Sequence, residues 1–303
     1  VTLGVVAEEL DARLAAWTEL RLLHDAGALD AAAVNDARSA GIRVFYGGRG
    51  IWTDKARTAR LAPDGVTVGV LHTGRSYADD LLPDGIVYHY PRTSVPGRDA
   101  QEVGATKAAK ELSLPVFVVV QPDASSRRVV HLGWVEDWDD AAELFLITFG
   151  HEPPQPMGTQ QEDDVPFELE RSAGSGRKVP VAARPGQHRF SFLVFRRYGV
   201  QCAVCDVSVM SLLDAAHLRS YRERGSNDPR NGLVMCATHH RAFDRKLFGI
   251  EPVTGRVVYQ DRGPVASDLG ITRQSIDHLA VPPHREALEW CWSKFRPGSE
   301  STS

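Results

Sequence analysis

Residues 235–248 read MCATHHRAFDRKLF, and upstream, at 201–206, stands QCAVCD. Neighbouring side chains on a helix point about 100° apart, so His239 and His240 cannot both serve one small site. Cys202 and Cys205 form a C-x-x-C pair, and Cys236 and His239 form C-x-x-H. Two such pairs match the four-coordinate Cys3His arrangement of structural Zn2+, with each pair a knuckle that pins one end of the intervening segment. A lone C-x-x-C says little; two pairs bracketing a compact stretch are specific. The plainer alternative is a set of buried thiols beside surface histidines. Cys291 stands alone in an apolar C-terminal stretch and reads as a core residue.

The chain of 303 residues is long enough for two domains, and its 43% hydrophobic and 24% charged residues are ordinary for a globular protein. No apolar run is long enough to span a bilayer, and the N-terminal VTLGVVAEELDARLAAW, broken early by acids, does not read as a signal peptide. Few cysteines in metal-type spacing predict a reducing, cytoplasmic setting and no membrane partner. The net charge of −4 does not advertise nucleic acid, but its distribution is uneven. Residues 151–170 hold six Asp/Glu and no Lys/Arg, whereas 171–248 hold fourteen Lys/Arg against five Asp/Glu. Such a block can be a solvated face, and it also meets the electrostatic need of a phosphate backbone.

The texture along the chain predicts an α+β protein in two parts. Residues 1–40 are rich in Ala and Leu and read as one or two amphipathic helices. From 41 to 150, the runs IRVFYGG, GVTVGVLHTG, GIVYHYP, LPVFVVVQP and RRVVHLGWVEDW read as strands, interrupted by a helix over 99–113. Residues 151–186 are polar and rich in Pro, Gly and Ser, which predicts a linker. The second domain spans 187–297, opening with the helix QHRFSFLVFRRYG and closing with PHREALEWCWSKF, and 298–303 are expected to be a disordered tail.

Between the knuckles lie His217 and Asn231, and His240 directly follows the second knuckle. Zinc knuckles bracketing a His–Asn–His series resemble the HNH endonucleases, a ββα-metal family, and the resemblance covers about 185–250. Its motifs are YGVQCAVCD, LLDAAHL, NGLVMCATHHRAFD and LFGI. Phosphodiester hydrolysis needs an activated water, for which a histidine titrating near neutrality is suited, and a hard cation such as Mg2+ or Mn2+. The resemblance implies His217 as general base, Asn231 as the residue that orients loop and base, and His240 as a ligand of the catalytic ion. Asp244, four residues on along one helical face, completes the candidate ligand set, with Asp214 a further candidate. Many HNH enzymes carry an acidic ligand directly before the first histidine; here that place is Ala216.

In the first domain, HTGRSYADD, DGIVYHYP and GRD together resemble the SRA (YDG-type) domain, a PUA-like β-barrel that binds 5-methylcytosine flipped out of duplex DNA. The resemblance covers roughly 41–150. It implies Tyr77 and Tyr90 as aromatic walls and Asp80 as acceptor from the cytosine amino group, with Tyr88 an alternative to Tyr90. Two tyrosines and a carboxylate would restore the stacking and base-edge hydrogen bonds lost on extrusion. An SRA reader linked to a zinc-stabilised HNH nuclease is similar to the modification-dependent restriction endonucleases. That implies cleavage of double-stranded DNA carrying 5-methyl- or 5-hydroxymethylcytosine, in host defence, with a homodimer supplying two active sites. Two other readings stay open: an HNH nuclease, sequence-specific or nonspecific, indifferent to modification, and a zinc-stabilised DNA-binding module without catalysis.

Overall fold

The computed structural model describes residues 3–25, 30, 34, 38–39, 42–44, 50–73, 81–93, 95–121, 127–155, 157, 165–171 and 186–295. The chain divides into two compact units, Val1–Met157 and Gly158–Ser303. No helix among the described residues is long and apolar enough to cross a membrane.

The first unit is built on a seven-stranded mixed sheet. Its strands are β3 (Ile51–Thr53), β4 (Thr67–His72), β5 (Leu81–Leu82), β6 (Gly85–His89), β7 (Val116–Val120), β8 (Val129–Asp139) and β9 (Leu144–Phe149), after a small ribbon of β1 (Arg38–Ser39) and β2 (Ile42–Arg43). The order is β3-β4-β7-β8-β9-β6-β5, with β4 and β7 parallel and the other pairs antiparallel. Strands β4 and β7 are covered on both faces, which is why they read as near-continuous Val-rich runs. One face packs Val70, Val116 and Val118 against Ala108 and Ala109 of a helix at Arg98–Glu111. The other packs Val68, Phe117 and Val119 against Ala16 and Leu20 of the N-terminal helix α1 (Leu3–Asp25).

The sheet is strongly curled. In a flat sheet β4 and β6 would stand four strand spacings, about 19 Å, apart. Yet the Tyr88 hydroxyl on β6 donates to the carbonyls of Gly50 at 3.0 Å and of Leu71 on β4 at 3.2 Å. A side chain bridges that gap only if the sheet bends back on itself. The result is a half-barrel: among the described residues β3 and β5 are edges paired on one side only, so of the PUA-like β-barrel that the resemblance implies the structure shows a curled half.

A buried ion cluster fastens α1 to this sheet. Arg13 Nε pairs with Glu9 at 2.9 Å, its Nη1 donates to the carbonyls of Thr67 and Pro115, and Arg57 takes the second Glu9 oxygen at 2.8 Å. Both Glu9 and Arg13 are fully buried. Glu9→Ala leaves the Arg13 charge buried beside Arg57 and is expected to destabilise the unit by about 3–5 kcal/mol. Chemical denaturation checks this, and the double variant Glu9→Leu/Arg13→Met is expected to recover part of the loss.

The second unit contains α2 (Gln187–Tyr198), an antiparallel pair β10 (Leu213–His217) and β11 (Gly232–Cys236), helix α3 (Ala237–Asp244), a hairpin β12 (Phe248–Ile250)/β13 (Val257–Tyr259) and a closing helix α4 (Arg285–Phe295). Register pairs Leu213 with Cys236 and His217 with Gly232. This places the two ends of the ladder at two different centres. Residues 165–171, inside the span read as linker, pack on this unit: Arg171 donates its amide to Arg224 and Ser226 donates to Leu169.

Candidate active site and metal centre

At the Cys236 end of the ladder the two knuckles meet. The donor atoms of Cys202, Cys205, Cys236 and His239 all lie within 4.8 Å of one another, and all four residues are buried. His239 Nδ1 stands 3.1 Å from Cys236 Sγ and 3.5 Å from Cys202 Sγ. Tetrahedral zinc at ordinary bond lengths separates sulfur and nitrogen ligands by about 3.5 Å, so the donor set fits the ion. His239 Nε2 lies 3.0 Å from the Leu269 carbonyl. A carbonyl only accepts, so the proton sits on Nε2 and Nδ1 presents its lone pair to the cluster. Burial pushes the Cys205 thiol up to about 12, against which a nearby dication is the effective remedy. The first knuckle is held from outside as well, by Arg273 donating to the carbonyls of Cys202 and Cys205.

At the other end lies a cavity of about 570 Å3. His217, His240 and Asp244 line it together with Arg222, Glu223 and Lys246. Adjacent positions on α3 thus point different ways: His239 is buried at the cysteines, while His240 reaches the cavity. His240 Nδ1 meets Asp214 Oδ2 at 2.9 Å, and its Nε2 faces Asp244 Oδ2 at 3.8 Å. Burial works to lower the His240 pKa, but the Asp214 hydrogen bond and the charges of Asp244 and Asp214 outweigh it, leaving it raised above the ordinary histidine value.

His217 is fixed from two sides. Its ring stacks on Phe190 of α2 at 3.7 Å and 11°, and its Nε2 lies 3.3 Å from Asn227 Oδ1. An amide oxygen only accepts, so this contact is a hydrogen bond donated by the His217 ring. Gly232, directly across the ladder, makes room for this: a Cβ there would come within 2.8 Å of the Phe190 ring and 2.7 Å of Val194. Asn231 is fully buried and ties down the loop before it: it accepts from the Arg219 amide at 2.9 Å and donates to the carbonyls of Arg219 and Ser226 at 3.1 and 2.9 Å. Phe190 and Asn227 were not singled out by the sequence. Phe190 looked like one more apolar residue of a helix, and Asn227 like loop composition.

In the first unit, Tyr77 and Asp80 lie outside the described residues. Tyr90 packs its ring against Phe145 at 4.5 Å between centroids, and its hydroxyl donates to Asp140 at 2.9 Å. Asp140 in turn holds Lys107 at 2.6 Å. Burial, then the Asp140 hydrogen bond and nearby carboxylates, hold the Tyr90 phenol protonated, well above its ordinary pKa. Tyr88 on the same strand spends its hydroxyl on the cross-sheet bridge. Asp99, in the first turn of the helix Arg98–Glu111, accepts from the backbone amide and hydroxyl of Thr93.

Residues 202–251 match the family model described as HNH endonuclease. No curated protein matches the chain. Among solved structures, a "Modification dependent TagI restriction endonuclease" is similar at 19% identity and a TM-score of 0.31, over 88% of this chain and 90% of that one. A second, "KRYPTONITE in complex with mCHG DNA and SAH", is similar at 14% identity and a TM-score of 0.28, over 53% of this chain and 46% of that one. The family match spans the ladder, both knuckles and the helix with the paired histidines, so the second unit carries the HNH domain of a metal-dependent DNA endonuclease.

Proposed function

We propose that this chain cleaves double-stranded DNA containing modified cytosine, reading the base with its first unit and hydrolysing the phosphodiester with its second. The observation that carries the hydrolytic part is the single cavity that gathers His217, His240 and Asp244 one ladder away from the Cys3His cluster. His217, held by Phe190 and Asn227, accepts the proton of the attacking water. His240 and Asp244 are the residues that would hold the catalytic divalent ion, Mg2+ or Mn2+, with Asp214 acting through His240 by fixing its Nδ1 proton. Bound there, the ion supplies charge stabilisation for the phosphate and the leaving oxygen. Arg222 and Lys246 on the cavity wall offer cationic partners to the phosphate oxygens. Asn231 keeps the loop behind His217 closed.

The reading of the first unit rests on the SRA-like motif of the sequence. Tyr90, backed by Phe145 and tethered through its hydroxyl, is a pre-set aromatic wall; Tyr77 and Asp80 would supply the opposite wall and the base-edge acceptor. A homodimer would give the two active sites that a double-strand cut needs.

The test is digestion of otherwise identical unmodified, 5-methylated and 5-hydroxymethylated duplexes with Mg2+ or Mn2+. Modified duplex is expected to be cut and unmodified duplex spared, and Tyr77→Ala or Asp80→Ala should lose the modified-site cutting. Equal cutting of all three substrates would leave an HNH nuclease indifferent to modification. No cutting with any divalent ion would leave a zinc-stabilised binding module.

A further inference from the structure

Residues 165–171 stand outside the segment that matches the HNH family, yet they grip the loop that walls the active-site cavity. The loop runs from Arg219 to Arg230, and its Ser220, Tyr221, Arg222 and Glu223 line the cavity. Asn231 ties its two limbs together, at Arg219 and at Ser226. Glu170 pairs with Gly225 as an antiparallel bridge, made by Arg171 donating to the Arg224 carbonyl at 2.9 Å and Ser226 donating to the Leu169 carbonyl at 3.0 Å. The Arg171 guanidinium lies 3.5 Å over the Tyr221 ring and donates to the Tyr221 carbonyl at 3.0 Å. Glu170 reaches Arg219 at 2.7 Å. At the far end of the loop, Arg230 donates to the Val165 carbonyl at 3.0 Å, and Phe167 stacks on His284 at 3.8 Å.

The loop turns back closely on its own start. A Cβ at Gly225 would lie 1.8 Å from the Arg219 carbonyl oxygen, so the chain there doubles back on its own start. A turn this tight has little apolar surface of its own to hold it, whereas the bridge at 169–171 adds two main-chain hydrogen bonds and a stacked guanidinium to one side of it. Arg171 is the centre of that support, since it contacts Tyr221 twice and Arg224 once.

We propose that residues 165–171 are a positioning strap of the nuclease, with Arg171 its principal residue: the strap sets the loop 219–230 as the cavity wall, and so sets the rate of cleavage. The inference rests on the nuclease reading above. Arg171 is a positioning residue, because its side chain acts on the cavity through Tyr221, which lines it.

The full-length chain carrying Arg171→Ala is compared with the unaltered chain in two measurements. The first is single-turnover cleavage of modified duplex as a function of protein concentration, which separates the saturated rate from DNA affinity. The saturated rate is expected to fall about tenfold or more, the scale of a small misplacement of a catalytic wall, with affinity little changed. Arg171→Lys is expected not to rescue, because an ammonium cannot both stack on the Tyr221 ring and reach its carbonyl. The second is amide hydrogen exchange, where the amide of Ser226 is expected to lose protection while those of β11 keep theirs.

A saturated rate within twofold of the unaltered chain overturns the proposal. So does a loss confined to DNA affinity or rescued by lysine, either of which would make Arg171 a phosphate contact. Loss of protection throughout β11 would make its role one of global stability and equally sinks the strap. If the unaltered chain cuts no DNA, the nuclease reading fails first, and the exchange measurement still decides whether 165–171 holds the loop.

Discussion

With His217 replaced by alanine, DNA cleavage is expected to fall by about 10²–10⁴-fold, the usual contribution of a positioned general base. The second unit should remain folded with its Cys3His cluster intact, because His217 lies at the opposite end of the β10–β11 ladder from Cys236. The substitution removes one ring from the Phe190 stack, a contact worth about 1 kcal/mol, and leaves the cysteine cluster untouched. Binding of modified duplex should survive, since neither the first unit nor the cationic wall of Arg222 and Lys246 is altered. Two controls sharpen the assignment. Added imidazole is expected to restore part of the lost rate to His217→Ala, as a diffusible base can enter a cavity of about 570 Å3. Asn227→Ala is expected to show a smaller loss, because it frees the ring to take the wrong tautomer without removing it. A His217→Ala protein that still cuts within a few-fold of the unaltered chain would exclude this residue as the base.

Much of this centre was legible before any coordinates, and the reason is locality. C-x-x-C and C-x-x-H are spacings that a tight backbone turn converts directly into converging donors, so Cys202, Cys205, Cys236 and His239 follow from the sequence. The opposed directions of His239 and His240 follow from helix geometry alone. What stayed hidden depends on residues brought together from afar. Phe190 supports His217 from another helix, and nothing in HRFSF marks it. Asp214 meets His240 across the ladder, so its partner depends on register. Residues 165–171 read as linker because the span 151–186 around them is polar and rich in Pro, Gly and Ser, while their hold on the loop depends on long-range contacts that composition does not record. In the first unit, LFLITF at 144–149 was not read as a strand: a short, mostly apolar run has no period of two, and burial on both faces removes the alternation. The curl of the sheet was equally invisible, since it shows only in the Tyr88 bridge.

The cysteine cluster carries the other large expected effect. His239→Ala removes one of four ligands and leaves three buried thiols around a gap beside the Leu269 carbonyl. Structural zinc sites contribute apparent binding free energies of about 10–16 kcal/mol in small domains, and that energy is folding energy. The cluster joins the 202–205 knuckle, the end of β11 and the start of α3, so its loss should loosen the whole second unit. The expected outcome is loss of the bound zinc and a fall of roughly 10 °C or more in that unit's melting midpoint, with cleavage lost as a consequence. His240→Ala separates structure from chemistry. It is half-buried, touches no cysteine among the contacts described, and should keep the zinc and most of the stability while cleavage falls to the level of His217→Ala. Metal analysis and thermal melting of the two variants side by side measure this directly. If both keep zinc and melt with the unaltered chain, the division of labour between the adjacent histidines is wrong. If His240→Ala is the one that loses zinc, the structural and catalytic centres have been exchanged.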